Sequence, residues 1–182
     1  MGKHRLVPHP HWPPNAVESV TVDFACDGSE AGLRFTVEGG ELSLPEWTSP
    51  GRADDLWQST CFEMFLRPTT AEHYFEFNFS PSTQWTAYRF DSYREGRQDL
   101  SQTVDPKVFC DVEPPQANCH VIEAEVDIWE FSPASLRMGL CAIIEETDGT
   151  KSYWALAHPP GDKPDFHDPA CFALELPAAG TP

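Results

Sequence analysis

HYFEFNFSP, residues 73–81, carries phenylalanine at every second position, Phe75, Phe77 and Phe79, and sets Tyr74, Glu76 and Asn78 on the positions between. A period of two is the signature of a strand with one buried face. The same alternation flanks it on both sides. TCFEMFLRP (60–68) has Phe62, Met64 and Leu66 in phase before Pro68 ends the run, and TQWTAYRFDSY (83–93) follows a Ser80-Pro81-Ser82 turn. Three antiparallel neighbours joined by short turns are the simplest product.

Further out, the habit repeats. VESVTVDFAC (17–26) and GLRFTVEG (32–39) flank a Cys26-Asp27-Gly28-Ser29 turn. KVFCDVEP (107–114), CHVIEAEVDI (119–128) and LRMGLCAIIEE (136–146) follow, and Asp148-Gly149 turns the chain into SYWALAH (152–158); FALEL (172–176) closes the series. Residues 130–135 suit a single helical turn, and no long 3.6-residue periodicity exists. Because each amphipathic sheet must cover its apolar face with another, the pattern predicts an all-β fold: a two-sheet antiparallel β-sandwich, jelly-roll-like. Residues 15–176 are expected to form one domain, with 1–14 as a flexible N-terminal arm and 177–182 as a flexible tail.

Composition narrows the partners. The 182 residues hold 29 acidic and 12 basic side chains, a net charge of -17 that repels phosphate backbones and anionic lipid, so neither nucleic acid nor membrane is expected as a partner. The N-terminal MGKHRLVPHPHWPPN lacks an apolar signal region, and no run reaches the roughly 18 apolar residues of a membrane span. A soluble, cytoplasmic protein is the expectation. Six cysteines are an even number, yet they include no CxxC pair and several lie inside apolar runs, as at Cys61 and Cys141; buried thiols are expected, rather than a disulfide framework or zinc site.

No nucleophile elbow, P-loop, dinucleotide fingerprint or HExxH occurs. Three groups of side chains can carry chemistry. Trp57 stands with Asp54 and Asp55 ahead of the strand bearing Glu63, and it reads either as a cap on the core or as a ring presented to a ligand. Tyr74, Glu76 and Asn78, placed beside Arg89 and Asp91 by extrapolated strand pairing, make either a solvated sheet face or a polyol site of rings, carboxylate, amide and guanidinium. YWALAHPPGDKPDFHDP (153–169) runs into a proline-stiffened loop with Trp154, His158, Asp165, Phe166, His167 and Asp168, a structural corner or a rigid binding rim. His158 and His167, nine residues apart, do not define a metal site. His9-Pro10-His11-Trp12 is read as a terminal arm against the sandwich.

LWQSTCFEMFLRP, HYFEFNFSPSTQWTAYRF and YWALAHPPGDKPDFHD together resemble the DOMON-like superfamily, which includes family-nine carbohydrate-binding modules and haem- or sugar-binding DOMON domains; the similarity is to an uncharacterised bacterial DOMON-like branch and spans about residues 15–176. The resemblance implies a sandwich with a ligand cleft on one sheet, and in carbohydrate-binding relatives a sugar clamped between two tryptophans. Trp57 matches one ring, and Trp154, or else Trp85, is the candidate for the second, with Glu76, Asn78 and Arg89 as polar floor. Thr60 and Cys61 stand where many relatives carry aspartate, which departs from any calcium site there.

The expected function is a non-catalytic ligand-binding module for a carbohydrate or similar small polar ligand, without cofactor. The alternatives are a haem-binding redox domain and a structural or partner-binding sandwich. Haem would need an axial methionine and histidine, and Met64 and Met138 fall in phase with core positions. An enzyme acting through Glu63 or Glu76 and His158 would need carboxylate spacing that one sequence cannot fix.

Overall fold

The alternating phenylalanines enter β7 (Tyr74–Phe79), in the middle of a nine-stranded sheet. The structure, a computed structural model, describes residues 2–27, 29–101, 104–110, 118–128, 131 and 135–178. Strands are numbered in chain order. Antiparallel partners of β7 are β6 (Cys61–Pro68) and β8 (Gln84–Phe90), so the three-strand meander expected from the sequence forms, with Met64 opposite Phe77 and Phe77 opposite Ala87. Beyond β6 lie β12 (Leu136–Glu145), β13 (Lys151–Ala155) and the edge strand β2 (Val7–Pro8). Short strands finish the sheet: β5 (Gly51–Arg52) joins β8 in parallel, β9 (Gln98–Asp99) also pairs with β8, and β14 (Leu174–Leu176) pairs with β12.

A second sheet of five strands faces it. Its order is β1 (Gly2–Arg5), β3 (Ser19–Asp27), β4 (Glu30–Glu38), β11 (Cys119–Asp127) and β10 (Lys107–Cys110). Two sheets packed on one core make the predicted β-sandwich, and no α-helix occurs among the described residues.

Between the sheets the in-phase residues interlock. Phe77 and Phe79 are fully buried, as are Val20, Val22 and Phe35 on the facing sheet, and Phe35 meets Phe62 at 4.9 Å between ring centroids. Each such side chain contributes about 1.5–3 kcal/mol of transfer free energy, which is why alternation dictates which face turns inward. Met64 and Met138 lie here with no solvent exposure. Cys61, Cys141 and Cys171 are fully buried thiols.

The outer face of the nine-stranded sheet is not solvated. Phe65, Tyr74, Tyr88, Phe90 and Ile143 build a second apolar layer there, closed by Phe166, Cys171 and Phe172 from the segment after β13. That segment, residues 156–173, folds back as a strap across β12. Gly139 admits it: a Cβ at this position would lie 2.9 Å from the Phe172 ring and 3.2 Å from the Cys171 carbonyl.

The N-terminal residues expected to form a flexible arm are instead paired to both sheets. Gly2–Arg5 run against β3, Leu6 is fully buried, and Val7–Pro8 pair with Trp154 and Ala155. The backbone donors and acceptors of a strand, together with one buried leucine, tie down a segment whose composition read as loop. Residues 179–182 of the expected tail, most of the expected helical turn at 130–135, Gly28 of the first hairpin turn and residues 111–114 of the expected 107–114 strand lie outside the described residues.

Candidate functional site

Between the strap and the outer face of the nine-stranded sheet lies a cavity of about 620 Å³. Its floor is carboxylate. Glu63 on β6 stands across from Asn78, while Glu76 on β7 stands across from Phe65 and Tyr88, so the two glutamates are diagonal neighbours on one sheet face. Both are almost fully buried, at 3 % and 6 % exposure. Asn78 donates to Glu76 Oε1 at 2.6 Å.

Aromatic side chains form the walls. Tyr88 and Phe90 come from β8 and Tyr153 from β13, and Phe166 descends from the strap. Two tryptophans stand at the solvent side: Trp12 is 41 % and Trp57 49 % exposed, and both line the cavity. Trp57 sits in a 3₁₀ turn (Leu56–Gln58) opened by Asp55 in the left-handed region at φ 60°. The Tyr88 hydroxyl, donating to Asp54 Oδ1 at 2.6 Å, and Lys151, donating to the Gln58 carbonyl at 2.7 Å, fix this turn from both ends. Trp12 is held by its indole N–H on the Asp162 carbonyl at 3.2 Å and packs edge-on against Tyr153 at 5.5 Å.

Cations complete the rim. Arg94, in the left-handed region at φ 57°, pairs with Asp165 at 2.7 Å, and Tyr93 donates to the same carboxylate at 2.5 Å. Arg97 lies over the Tyr88 ring at 4.9 Å, within cation–π range, and Lys163 lines the cavity from the strap.

Burial governs the electrostatics. It pushes the Glu63 carboxyl well above the ordinary carboxylate range, helped by the charge of Glu76 and opposed by Arg94. Glu76 is raised by burial too, against the Asn78 hydrogen bond and the charges of Arg94 and Arg97. His167 Nε2 lies 3.7 Å from Glu76 Oε2, and burial, then the charge of Arg94, lowers its pKa to about 4, so the ring is neutral at pH 7. With the ring neutral, the tautomer carrying its proton on Nε2 points it at Glu76 and leaves Nδ1 to accept from the Tyr74 hydroxyl at 2.8 Å. Burial raises the Tyr74 phenol to about 12, and its oxygen accepts from the Arg94 backbone N–H at 3.1 Å. Burial works to raise Asp165, but hydrogen bonds from Tyr93 and Arg94 outweigh it and hold the carboxyl low. Two carboxyls that burial shifts toward protonation, at the bottom of an aromatic cleft, can exchange hydrogen bonds with hydroxyl groups.

The structure sorts the residues singled out from sequence. Trp57, Glu63, Glu76 and His167 all line the cavity. Tyr74 and Asn78 lie behind them, each one hydrogen bond away, with Tyr74 reaching His167 and Asn78 reaching Glu76. Asp165 positions Arg94. Four assignments change. Trp154 is a core residue, 2 % exposed, its indole N–H spent on Ser152 Oγ at 2.9 Å, because it pairs with Ala142 and shares that residue's inward phase. Trp85 is likewise in the core. Arg89 lies opposite Phe75, so alternation turns it away from Glu76 and Asn78, and it pairs with Asp91. His158 donates to the Val7 carbonyl at 2.9 Å and meets the His9 ring edge-on at 5.0 Å, fastening the N-terminal segment and lying outside the cavity lining.

Sequence reasoning missed Trp12, Arg94, Arg97, Tyr153 and Lys163 as cavity residues. Tyr88, Phe90 and Tyr153 were recoverable, because they alternate out of phase with the core-facing Ala87 and Trp154. Among the described residues no three His, Cys, Asp or Glu side chains converge as a metal site requires.

No family model and no curated protein matches the sequence. Among solved structures, a candidate carbohydrate-binding protein from Bacteroides uniformis superposes with a TM-score of 0.69 at 16 % identity, over 93 % of this chain and 83 % of that one. A family 9 carbohydrate-binding module from Caldicellulosiruptor kristjanssonii, solved with glucose and with cellotriose, gives 0.49 at 9 % identity, over 79 % of this chain and 69 % or 68 % of that one. The first likeness is one of fold. No helix of the described residues is long and apolar enough to cross a membrane.

Proposed function

We propose that the protein is a non-catalytic, DOMON-like binding module for a carbohydrate or similar small polar ligand, held between Trp12 and Trp57 above the Glu63–Glu76 floor. The observation that carries this reading is the pairing of two half-exposed indoles with two buried carboxyls in one cavity of about 620 Å³. Flat rings stack on the apolar faces of a pyranose, while buried acceptors and donors read its hydroxyls. The volume falls in the range of small-molecule sites, roughly 300–1,000 Å³. The fold shared with the candidate carbohydrate-binding protein of Bacteroides uniformis supports the same reading. Haem draws no support, because Met64 and Met138 are enclosed in the core. Free thiols buried at Cys61, Cys141 and Cys171 fit a reducing compartment, which supports a cytoplasmic reading.

Tryptophan fluorescence, titrated with mono- and oligosaccharides, tests the proposal. A saturable change whose midpoint Trp57→Ala shifts about tenfold toward weaker binding in a folded protein is expected; an unchanged sugar affinity in that variant overturns it.

A further inference from the structure

The cavity's charge runs against that of the chain. Among the described residues the acidic side chains lining it are Glu63 and Glu76, both sunk in its floor, whereas three of only 12 basic side chains, Arg94, Arg97 and Lys163, line the same space. Most of the basic residues elsewhere are neutralised: Lys3, Arg34, Arg52, Lys107, Arg137 and Lys151 each face a carboxylate. Arg94 is neutralised too, by Asp165. Among the described residues Arg5, Arg67, Arg97 and Lys163 form no ion pair, in a protein with more than twice as many acids as bases, and two of these four line the cavity.

Unpaired cations in so acidic a chain are a distribution with a cost in lost pairing, and here two of them flank one cavity. Arg97 is also held in place, its guanidinium over the Tyr88 ring that forms the wall. Its free donors are left for a planar or tetrahedral anion, which guanidinium binds in bidentate fashion, while the lysine ammonium adds a point charge. The repulsion of a distant acidic surface is screened within about 8 Å at physiological ionic strength, so the charges at the rim decide.

We infer that the ligand is an acidic saccharide: a sugar whose hydroxylated ring reaches the Glu63–Glu76 floor between the tryptophans and whose carboxylate or phosphate meets Arg97 and Lys163 at the rim. This rests on the carbohydrate reading and names the substrate class within it.

The test is calorimetric titration of the full chain with matched probes: glucose, glucuronate and glucose 6-phosphate, then galactose and galacturonate, each at low salt and with added sodium chloride. Within a series the anionic sugar is expected to bind about fivefold or more tightly than its neutral counterpart. Salt should shrink that ratio, and the Arg97→Gln/Lys163→Gln double variant should bring it to about one. Preference for the uronates assigns a carboxylate, and preference for the sugar phosphate assigns a phosphate. Equal affinity for neutral and anionic sugars, or a ratio that survives the double variant, overturns the inference while the carbohydrate reading stands. If none of the five sugars binds, both fall.

Discussion

Glu76 and His167 join the strap to the sheet, Oε2 to Nε2 at 3.7 Å, while the other nitrogen of the same ring meets the Tyr74 hydroxyl at 2.8 Å. One neutral histidine thus spans two residues of β7 that alternation had already placed on a common face. The relationship makes the site's stability depend on pH.

The acid limb belongs to His167. Its folded pKa of about 4 lies below the ordinary 6.5, so the unfolded chain takes up a proton that the folded one refuses. Stability from this residue is complete above pH 6.5 and is lost as pH falls toward 4, amounting to about 3 kcal/mol. Urea denaturation at pH 7 and pH 4.5 should show the loss in the natural protein and a smaller one in His167→Gln; parallel losses would assign the acid limb elsewhere.

Glu63 has the opposite sign. Its carboxyl is raised by burial, so the folded state holds a proton that the unfolded state releases, and stability declines as pH rises above the ordinary carboxyl range. Glu63→Gln should therefore gain on the natural protein at pH 8 and lose that advantage at pH 4. Thermal melts across this range read the difference directly.

The tryptophans separate by role. Trp12→Ala and Trp57→Ala should each weaken sugar binding by about tenfold, since each removes one stacking ring of the cavity. Trp154→Ala should cost about 3–5 kcal/mol of folding free energy, because it empties the core. Fluorescence titration and urea denaturation of the three variants distinguish the roles; a Trp154 variant with natural stability would contradict its placement.

Arg89→Ala is expected to leave sugar affinity unchanged, since the side chain faces away from the cavity and pairs with Asp91. A tenfold loss would show that the guanidinium reaches the ligand. Calorimetry on the folded variant decides.

Gly139→Ala should loosen the strap. The added methyl would meet the Phe172 ring at 2.9 Å and the Cys171 carbonyl at 3.2 Å, an overpacking that costs about 1–3 kcal/mol. Hydrogen exchange should rise first in residues 156–173 if the strap yields before the sheet does; uniform change across the fold would show that the sheet yields with it.

Alternation over Phe75, Phe77 and Phe79 was enough to place the strands, their inward faces and the β6–β8 meander, because burial of apolar area acts residue by residue and has a period of two. That Glu63 and Glu76 share one sheet face was legible for the same local reason. What covers the outer face was not. Tyr74, Glu76 and Asn78 read equally well as solvated until the strap, nearly eighty residues onward, closed over them. Trp12 and Trp154 exchanged roles because one lies on a segment anchored by Val7–Pro8 and His158, and the other pairs with inward-facing Ala142. Arg89 gave way to Arg94 and Arg97 by the parity of one strand and the turn after it. Local pattern sets which side of a strand is apolar; which distant segment meets that side is set by packing among all of them at once, and only the tertiary structure decided it.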